Sequence, residues 1–229
     1  MSLEGVPSAF AGTRDGIDAL LRDRGLRRTD PAQTVESLLR GAHASAVLSG
    51  SGSTLDEVRA GEGDEVARAA ARMSTALLSL VPVVGHSPLQ ALSRLHVLAA
   101  GTDTAGRPAT PGGADRMSAL GSALGAVTRA PALLVAAVAH AEVATVAPFG
   151  SYDGLVARAA ERLVLVARGV DPASLVVPEA GHLALRAEYE SNLRAYRDGG
   201  QNGVHAWLLY AAEAYAAGAE ASPLRRDVE

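Results

Sequence analysis

The chain has 229 residues, a formal net charge of −4 and no cysteine. A chain of this length can bury most of its apolar surface without stabilising cross-links, and the absence of cysteine excludes disulfides and thiolate chemistry. All 21 basic residues are arginine, which excludes Schiff-base enzymes and P-loop nucleotide-binding enzymes, because both need a lysine. The acidic balance gives no bulk attraction to nucleic acid or anionic membranes, so neither is an expected partner.

The amino-terminal residues 1–5 lack the basic start and apolar centre of a signal peptide, and we expect a cytoplasmic protein. The longest apolar stretch, residues 130–146, contains His140 and Glu142 and is shorter than the roughly 20 residues that cross a bilayer. The sequence therefore predicts a buried core helix at this stretch, and no membrane partner.

Helical spacing of apolar residues continues along most of the chain, and the alternation typical of strands is absent, so the sequence predicts an all-α fold. Asp30 and Pro31 are typical of a helix N-cap followed by proline at the first helical position. The Ser/Gly-rich stretch 49–54 predicts a flexible break. Helices are expected over residues 31–50, 64–80, 88–99, 114–127, 131–146, 154–168, 179–198 and 203–217, with ends placed to about two to four residues.

Glycine and proline are too frequent in residues 101–113 for a helix, and this segment predicts a short hairpin or an irregular flap. No linker longer than a few residues divides the chain. We expect an amino-terminal helical extension over residues 1–85, a core over residues 86–220 and a polar tail over residues 221–229.

The segment 145–158 predicts a helix end, a glycine-bearing turn and a new helix start. This geometry leaves backbone N–H groups free to face an anion. A plain turn between two helices, with Phe149 packed beneath it, gives the same pattern and stays open as the alternative.

The stretch from Ala147 to Arg158 resembles the motif of the Fic/Doc (Fido) family, His-Pro-Phe-x-Asp/Glu-Gly-Asn-Gly-Arg-x-x-Arg. Residues 95–98 and then Gly106 and Arg107 resemble the helix and the target-docking flap that precede this motif. Ser45 to Gly50 resembles the family's inhibitory helix, Ser/Thr-x-x-x-Glu-Gly, and residues 161–172 and 189–214 resemble the later helices. The resemblance spans residues 35–217 and implies a Fido-fold helical bundle with a flap hairpin before the two motif helices.

The resemblance also implies an activity, because most studied Fic proteins transfer AMP from ATP, or another phosphate-containing group, to a protein hydroxyl. In the family motif the histidine takes the proton from that hydroxyl and the acidic residue holds Mg²⁺. The Gly-Asn-Gly turn cradles phosphates and the two arginines grip the triphosphate. The glutamate of the inhibitory helix pairs with the second arginine.

Carried over residue by residue, most of these groups are replaced in this chain. Ala147 stands at the general-base position, and losing a general base costs about 10²- to 10⁴-fold in rate. Ser151 replaces the acidic Mg²⁺ ligand, and Tyr152 replaces a glycine where a positive φ would be easy. Asp153 replaces asparagine, where its carboxylate would repel a phosphate and would suit a helix N-cap. Leu155 replaces the first arginine.

Four motif positions are matched, by Pro148, Phe149, Gly154 and Arg158. In the segment that resembles the inhibitory helix, Ser49 occupies the glutamate's place. An inhibitory glutamate is useful only where an activity needs restraint, so its absence beside the degenerate motif indicates that AMP transfer has been lost. Arg158 then has two interpretations: it pairs with a nearby acid such as Asp153, or it keeps an anion-binding role.

Three functional hypotheses follow. The first is a non-catalytic binding or regulatory module, with no catalytic residue, that holds a protein or peptide at the cleft and the flap, where Gly106 and Arg107 are candidates. The second is a divergent transferase that binds a nucleotide or phosphate and draws its base from Glu142 or Asp153. The third is a structural subunit. The candidates for the anion or nucleotide site are Gly150, Ser151, Asp153, Gly154 and Arg158.

No metal site is predicted from the sequence. His140 and Glu142 lie two residues apart and so point to different faces of a helix. The other histidines show no ligand spacing and are expected at the surface or hydrogen-bonded in the core. They are His43, His86, His96, His182 and His205.

Overall fold

A computed structural model of the chain describes residues 3–24 and 30–225. Within these ranges the protein is all-α, as predicted, and contains no strand. A single 3₁₀ turn, Leu77–Leu80, joins the fourth and fifth helices. The α-helices are α1 (Val6–Arg24), α2 (Pro31–Leu48), α3 (Leu55–Ala60), α4 (Glu65–Ala76), α5 (Val81–His86), α6 (Pro88–Ala100), α7 (Pro111–Gly125), α8 (Ala132–Val146), α9 (Asp153–Ala167), α10 (Pro178–Ala184), α11 (Arg186–Asp198) and α12 (Gly200–Glu220).

Side-chain caps fix the starts of helices α2, α3 and α4. Asp30 accepts a hydrogen bond from the amide of Ala32 at 2.9 Å, which confirms the predicted N-cap of α2. Thr54 and Glu57 form a reciprocal capping box at the start of α3, and Asp64 caps α4. Each cap satisfies an amide that the first helical turn leaves without a partner.

The centre of the molecule is the pair α8 and α9, which pack against each other and are joined by residues 147–152. Apolar residues are spread around all sides of helix α8, a pattern typical of a helix surrounded by protein. Helix α9 is buried along nearly its whole length because α2, α5 and α6 also cover it. The loop between the two helices is thereby held at one end of the core.

Helix α9 carries four buried charged residues, Asp153, Arg158, Glu161 and Arg162, among mostly apolar ones. Arg162 forms a buried ion pair with Glu179 of α10 at 3.0 Å and donates to Ser174 at 2.8 Å. Removing one partner of such a pair costs about 3–5 kcal/mol, because the other charge stays buried. The pair therefore fixes α10 against α9.

The predicted helix over residues 179–198 is wrong in one respect, because two helices, α10 and α11, share this range. The break is at Leu185, whose φ of −111° and ψ of 41° are not helical. Helix α10 lies so close to α12 that a Cβ at Gly181 would meet the carbonyl oxygen of Ala214 at 1.9 Å. This close tertiary packing, which helical periodicity does not encode, sets the direction of α10 independently of α11.

Three helices were not predicted: α1, α3 and α5. Helix α1 lies in the expected amino-terminal extension and packs against α12 and α8. Helices α3 and α5 have six residues each, too few to display a periodic pattern.

Of the two forms predicted for residues 101–113, the hairpin is absent, and residues 101–110 form the irregular alternative, a series of turns and bends. Thr110 caps α7 through the amide of Gly113, so the helix begins at Pro111, three residues earlier than predicted. The amide of Ala109 donates to the carbonyl of Pro148 at 2.7 Å. Gly106 has a left-handed φ of +83°, which glycine adopts easily, whereas a residue in a strand would have an extended backbone. We call residues 101–110 the flap segment.

One helical run, Glu65–His86, is long and apolar enough by length and composition alone to cross a membrane. It spans α4, the 3₁₀ turn and α5, and these elements pack against α2, α6 and α9. One face of the run therefore belongs to the core of a helical domain, and the described residues carry no clear membrane feature.

Candidate functional site

The loop between α8 and α9 adopts left-handed backbone conformations at two non-glycine residues. Ala147, the C-cap of α8, has a φ of 46°, and Tyr152, which precedes α9, has a φ of 54°. The side chain of Ala147 is exposed and offers no proton acceptor. Tyr152 takes the positive φ expected where the family motif has glycine, and its backbone makes the turn despite its Cβ.

The Asp153 side chain accepts a hydrogen bond from its own loop. Its Oδ1 accepts a hydrogen bond from the amide of Phe149 at 2.9 Å, and its side chain is buried. Burial raises the pKa of Asp153, while hydrogen bonds from the amides of Phe149 and Gly150 oppose that rise. The expected N-cap role is wrong, since Tyr152 holds the cap position and the Asp153 side chain turns back into the loop. The carboxylate therefore sits where loop amides would otherwise face an anion.

Phe149 is buried beneath the loop and stacks on the His96 ring, with 4.4 Å between ring centroids and an interplanar angle of 7°. His96 Nδ1 accepts a hydrogen bond from the amide of Gly106 at 2.8 Å. The proton of the neutral imidazole is then on Nε2, which lies 3.2 Å from the hydroxyl of Ser151. Because Nε2 is the donor in this tautomer, His96 does not activate Ser151 as a nucleophile.

Arg158 is buried and donates only to uncharged groups. Its Nε and Nη2 bond the hydroxyl and the carbonyl of Ser45 at 2.8 and 2.9 Å, and its Nη1 bonds the Tyr189 hydroxyl at 3.0 Å. No ion pair of Arg158 is present among the described residues. Of the two interpretations of Arg158, the pairing with Asp153 is therefore wrong, because that carboxylate accepts from a loop amide instead.

Ser49, the C-cap residue of α2, supplies a further contact to the same guanidinium. The Ser49 hydroxyl accepts a hydrogen bond from Arg158 Nη2 at 2.5 Å, although Ser49 is exposed. The resemblance aligned Ser49 with a residue that pairs with this arginine, and the structure brings the two together. The contact is a neutral one, without the charge attraction that a carboxylate would add.

The remaining predicted site residues divide into three groups. Gly154 lies against Arg158, where a Cβ would meet the guanidinium nitrogens at 3.4 Å. Gly150 and Ser151 are exposed in the loop, and Arg107 is exposed in the flap segment. Leu155, at the position of the motif's first arginine, is buried in the core.

Glu142, a candidate base, is already engaged on α8 outside the loop. It accepts from Arg116 at 2.6 Å and from the Tyr196 hydroxyl at 2.7 Å. Both carboxylate oxygens of Glu142 are therefore engaged by hydrogen bonds from other helices.

A buried polar cluster that the sequence did not reveal lies deeper between α8, α9 and α10. His140, Glu161 and His182 have no exposed surface, and their ligand-type atoms lie within 4.8 Å of one another. Burial lowers the pKa of His140 to about 4, while His140 and His182 hold the pKa of Glu161 well below its ordinary value despite burial. Local spacing gave no signal, because each residue belongs to a different helix.

Tyrosine hydroxyls surround this cluster. The Tyr215 hydroxyl donates to Glu161 at 2.8 Å, and the Tyr189 hydroxyl lies 3.0 Å from His140 Nε2. Since Tyr189 also accepts from Arg158, it joins the buried cluster to the arginine beside the loop.

Comparison with known proteins identifies the fold. No family model and no curated protein matches the chain. Among solved structures, a Fic family protein from Desulfovibrio desulfuricans G20 superposes with a TM-score of 0.69 at 18% identity, covering 91% of this chain and 73% of that one. Fic-1 from C. elegans superposes with a TM-score of 0.69 at 18% identity, covering 94% and 73%. The all-α architecture and these superpositions agree that this chain has the Fic/Fido fold.

Proposed function

We propose that this chain is a Fic-fold binding or regulatory module that does not transfer AMP by the mechanism of the family it resembles. The observation that carries the proposal is the state of the α8–α9 loop. Ala147 offers no base there, and Asp153 fills the loop with its own carboxylate. A phosphate would have to displace that carboxylate from the amides.

Among the described residues, neither His96 nor His140 supplies the missing proton acceptor at the loop. His96 contacts the loop, but its Nδ1 accepts from Gly106 and its Nε2 faces Ser151 as a donor. His140 is enclosed in the core, where burial keeps it from a substrate hydroxyl. A general base must lie within hydrogen-bond reach of the proton that it removes, and neither histidine meets this condition in its present arrangement.

The partner that we propose is a protein or peptide bound at the surface formed by the loop and the flap segment. The exposed Arg107 gives this surface a cation, and Ala109 pairs its amide with Pro148, which holds the flap segment beside the loop. A pull-down with the unmodified chain as bait first identifies the partner. Arg107→Ala should then weaken its capture, while Arg129→Ala, at an exposed arginine outside the flap segment, should not. Equal capture by both variants would contradict binding at this surface. We place the module in the cytoplasm.

A second candidate function is a divergent nucleotidyl- or phosphate-group transferase with Gly154 and Arg158 at its anion site. One observation favours it: Arg158 is a buried cation whose partners are uncharged. An anion that displaced Ser49 would gain a charge-assisted hydrogen bond. In this function Ser49 competes with the ligand, so Ser49→Ala should strengthen binding.

Calorimetry with ATP, with and without Mg²⁺, and with inorganic phosphate separates the two functions. The binding module predicts no heat of binding with any of them. Binding that Ser49→Ala strengthens and Arg158→Gln abolishes would establish the anion site on which the second function depends and would count against the first. Circular dichroism of each variant controls for loss of folding.

A gain-of-function test addresses the chemistry directly. We expect Ala147→His alone to leave transfer of labelled AMP from ATP to protein undetectable, because Ser151 and Leu155 still replace the metal ligand and the first arginine. Label incorporated by the unmodified chain, and absent in Arg158→Gln, would contradict the proposal.

A further inference from the structure

The buried cluster of His140, Glu161 and His182 has the donor set of a metal site. Two imidazole nitrogens and one carboxylate oxygen converge from α8, α9 and α10. Glu161 Oε2 lies 3.0 Å from His140 Nδ1 and 2.9 Å from His182 Nε2. Two ligands of a tetrahedral Zn²⁺, each about 2.0–2.1 Å from the ion, lie about 3.3 Å apart, so these separations are within a few tenths of an ångström of coordination.

One atom of the cluster is unsatisfied by hydrogen bonding. His140 Nδ1 is fully buried and has no hydrogen-bond partner, because its 3.0 Å approach to Glu161 is misaligned for a hydrogen bond. A buried polar nitrogen without a partner costs about 1–3 kcal/mol. An ion beside Glu161 Oε2 would use the lone pair of this nitrogen.

The outer atom of each candidate ligand is already held by a tyrosine. Tyr189 lies 3.0 Å from His140 Nε2, Tyr210 lies 2.8 Å from His182 Nδ1, and Tyr215 donates to Glu161 Oε1 at 2.8 Å. Such outer contacts orient metal ligands in proteins and fix which imidazole nitrogen faces the ion. The cluster is thus oriented on its outside, while its inward atoms converge.

We propose that His140, Glu161 and His182 bind one divalent transition-metal ion, and that the ion is Zn²⁺, which proteins hold with two imidazoles and one carboxylate. Because the site has no exposed atom, the ion has a structural role. It ties α8, α9 and α10 together beneath the loop, and metal uptake accompanies folding.

The test uses the full chain prepared without a histidine tag. The protein is unfolded in guanidinium with a chelator, refolded with Zn²⁺ or with chelator alone, and freed of unbound metal by gel filtration. We expect about one equivalent of zinc by elemental analysis, and a higher midpoint of unfolding for the zinc-refolded sample. Less than about a tenth of an equivalent, with identical midpoints, would overturn the proposal.

The single tryptophan locates the ion. The ring centroid of Trp207 lies 5.2 Å from that of His140 and 6.2 Å from that of His182. Refolding with Co²⁺ in place of Zn²⁺ should quench Trp207 emission and produce the visible absorption of a coordinated cobalt ion. Retained cobalt without quenching would put the ion elsewhere and overturn the assignment.

Variants of the ligands and of their surroundings complete the test. His182→Gln should lose the retained metal, while the matched control His86→Gln, at an exposed histidine of α5, should keep it. If His182→Gln does not fold, Tyr210→Phe decides, because it keeps the ring and removes only the hydroxyl on His182 Nδ1. Its affinity for zinc should fall about 10- to 100-fold. Unchanged zinc retention in every folded variant would contradict the site.

Discussion

Ala147 pays a conformational cost that glycine would avoid. Its φ of 46° and ψ of 57° are left-handed, and its side chain is exposed, so the methyl group makes no compensating buried contact. Left-handed conformations cost about 1–2 kcal/mol for residues with a Cβ. We expect Ala147→Gly to raise the free energy of unfolding by about 0.5–1 kcal/mol, measured by urea denaturation.

The control for this prediction is Ala114→Gly in α7, where the alanine is exposed and helical. The same change should there lower the free energy of unfolding by about 0.5–1 kcal/mol, because glycine loses more backbone freedom in a helix. A loss of stability in Ala147→Gly equal to that in the control would contradict the conformational explanation.

The hydroxyl groups around Arg158 should differ in their importance for stability. Ser45 is buried and supplies two acceptors, whereas Ser49 is exposed and supplies one. Ser45→Ala leaves the buried Nε without its partner, and we expect it to cost about 1–3 kcal/mol. Ser49→Ala should cost less than about 1 kcal/mol, since water can replace the hydroxyl. Equal losses in the two variants, by urea denaturation, would contradict this ranking.

At the scale of elements, His96 joins the flap segment to the α8–α9 loop. Its ring stacks on Phe149 and binds the amide of Gly106 only while Nδ1 is unprotonated. Burial lowers the pKa of His96 below its ordinary value of 6.5. The unfolded chain therefore takes up this proton first as the pH falls. The stability due to neutral His96 is complete above pH 6.5 and is lost as the pH falls from there toward the folded pKa.

This linkage predicts a pH-dependent effect of one substitution. We expect His96→Gln to be less stable than the parent chain at pH 7.5, and the difference to narrow as the pH falls below 6.5. Chemical denaturation across this range measures the difference, and hydrogen exchange at the Gly106 amide reports the flap contact itself. A difference that stays constant with pH would show that His96 contributes by packing alone.

The elements that the sequence predicted well are those whose signal is local. The cap at Asp30, the apolar run that became α8 and the glycine-bearing turn after Ala147 each follow from neighbouring residues. The prediction of a flap hairpin was wrong because Thr110 and Pro111 start a helix. This local helix-start signal lay inside a stretch that we interpreted only by its glycine and proline content. The break at Leu185 was not predicted for a different reason, since it depends on how closely α10 approaches α12.

The candidate site shows the same division. Arg158, Ser49 and Phe149 were identified from the sequence, and the structure brings the first two into contact. The choice of partner for Arg158 was not predictable, because it depends on Asp153 turning back to the Phe149 amide. Residues 140, 161 and 182 meet only after three helices pack, so no short spacing could reveal their cluster.

At the scale of the whole molecule, close crossing of α10 and α12 brings the carboxyl-terminal helix against the core. A Cβ at Gly181 would meet backbone atoms of α12, at 1.9 Å from the carbonyl oxygen of Ala214 and 2.8 Å from the amide of Gly218. Backbone atoms of a packed helix cannot turn aside as a side chain can. Gly181→Ala must therefore separate α10 from α12 and disturb His182, the next residue, which binds Glu161 at 2.9 Å.

We expect Gly181→Ala to lower the free energy of unfolding by about 3 kcal/mol or more, as overpacking of a rigid core does at its upper range. Gly16→Ala in α1 is the matched control, because a Cβ there meets nothing within 4 Å. It should raise stability by about 0.5–1 kcal/mol through helix propensity alone. Thermal denaturation of both variants separates the effects, since the same methyl group tests close packing at one glycine and backbone freedom at the other. Similar melting temperatures for the two variants would mean that α10 and α12 can move apart at little cost, contrary to a single cooperative core.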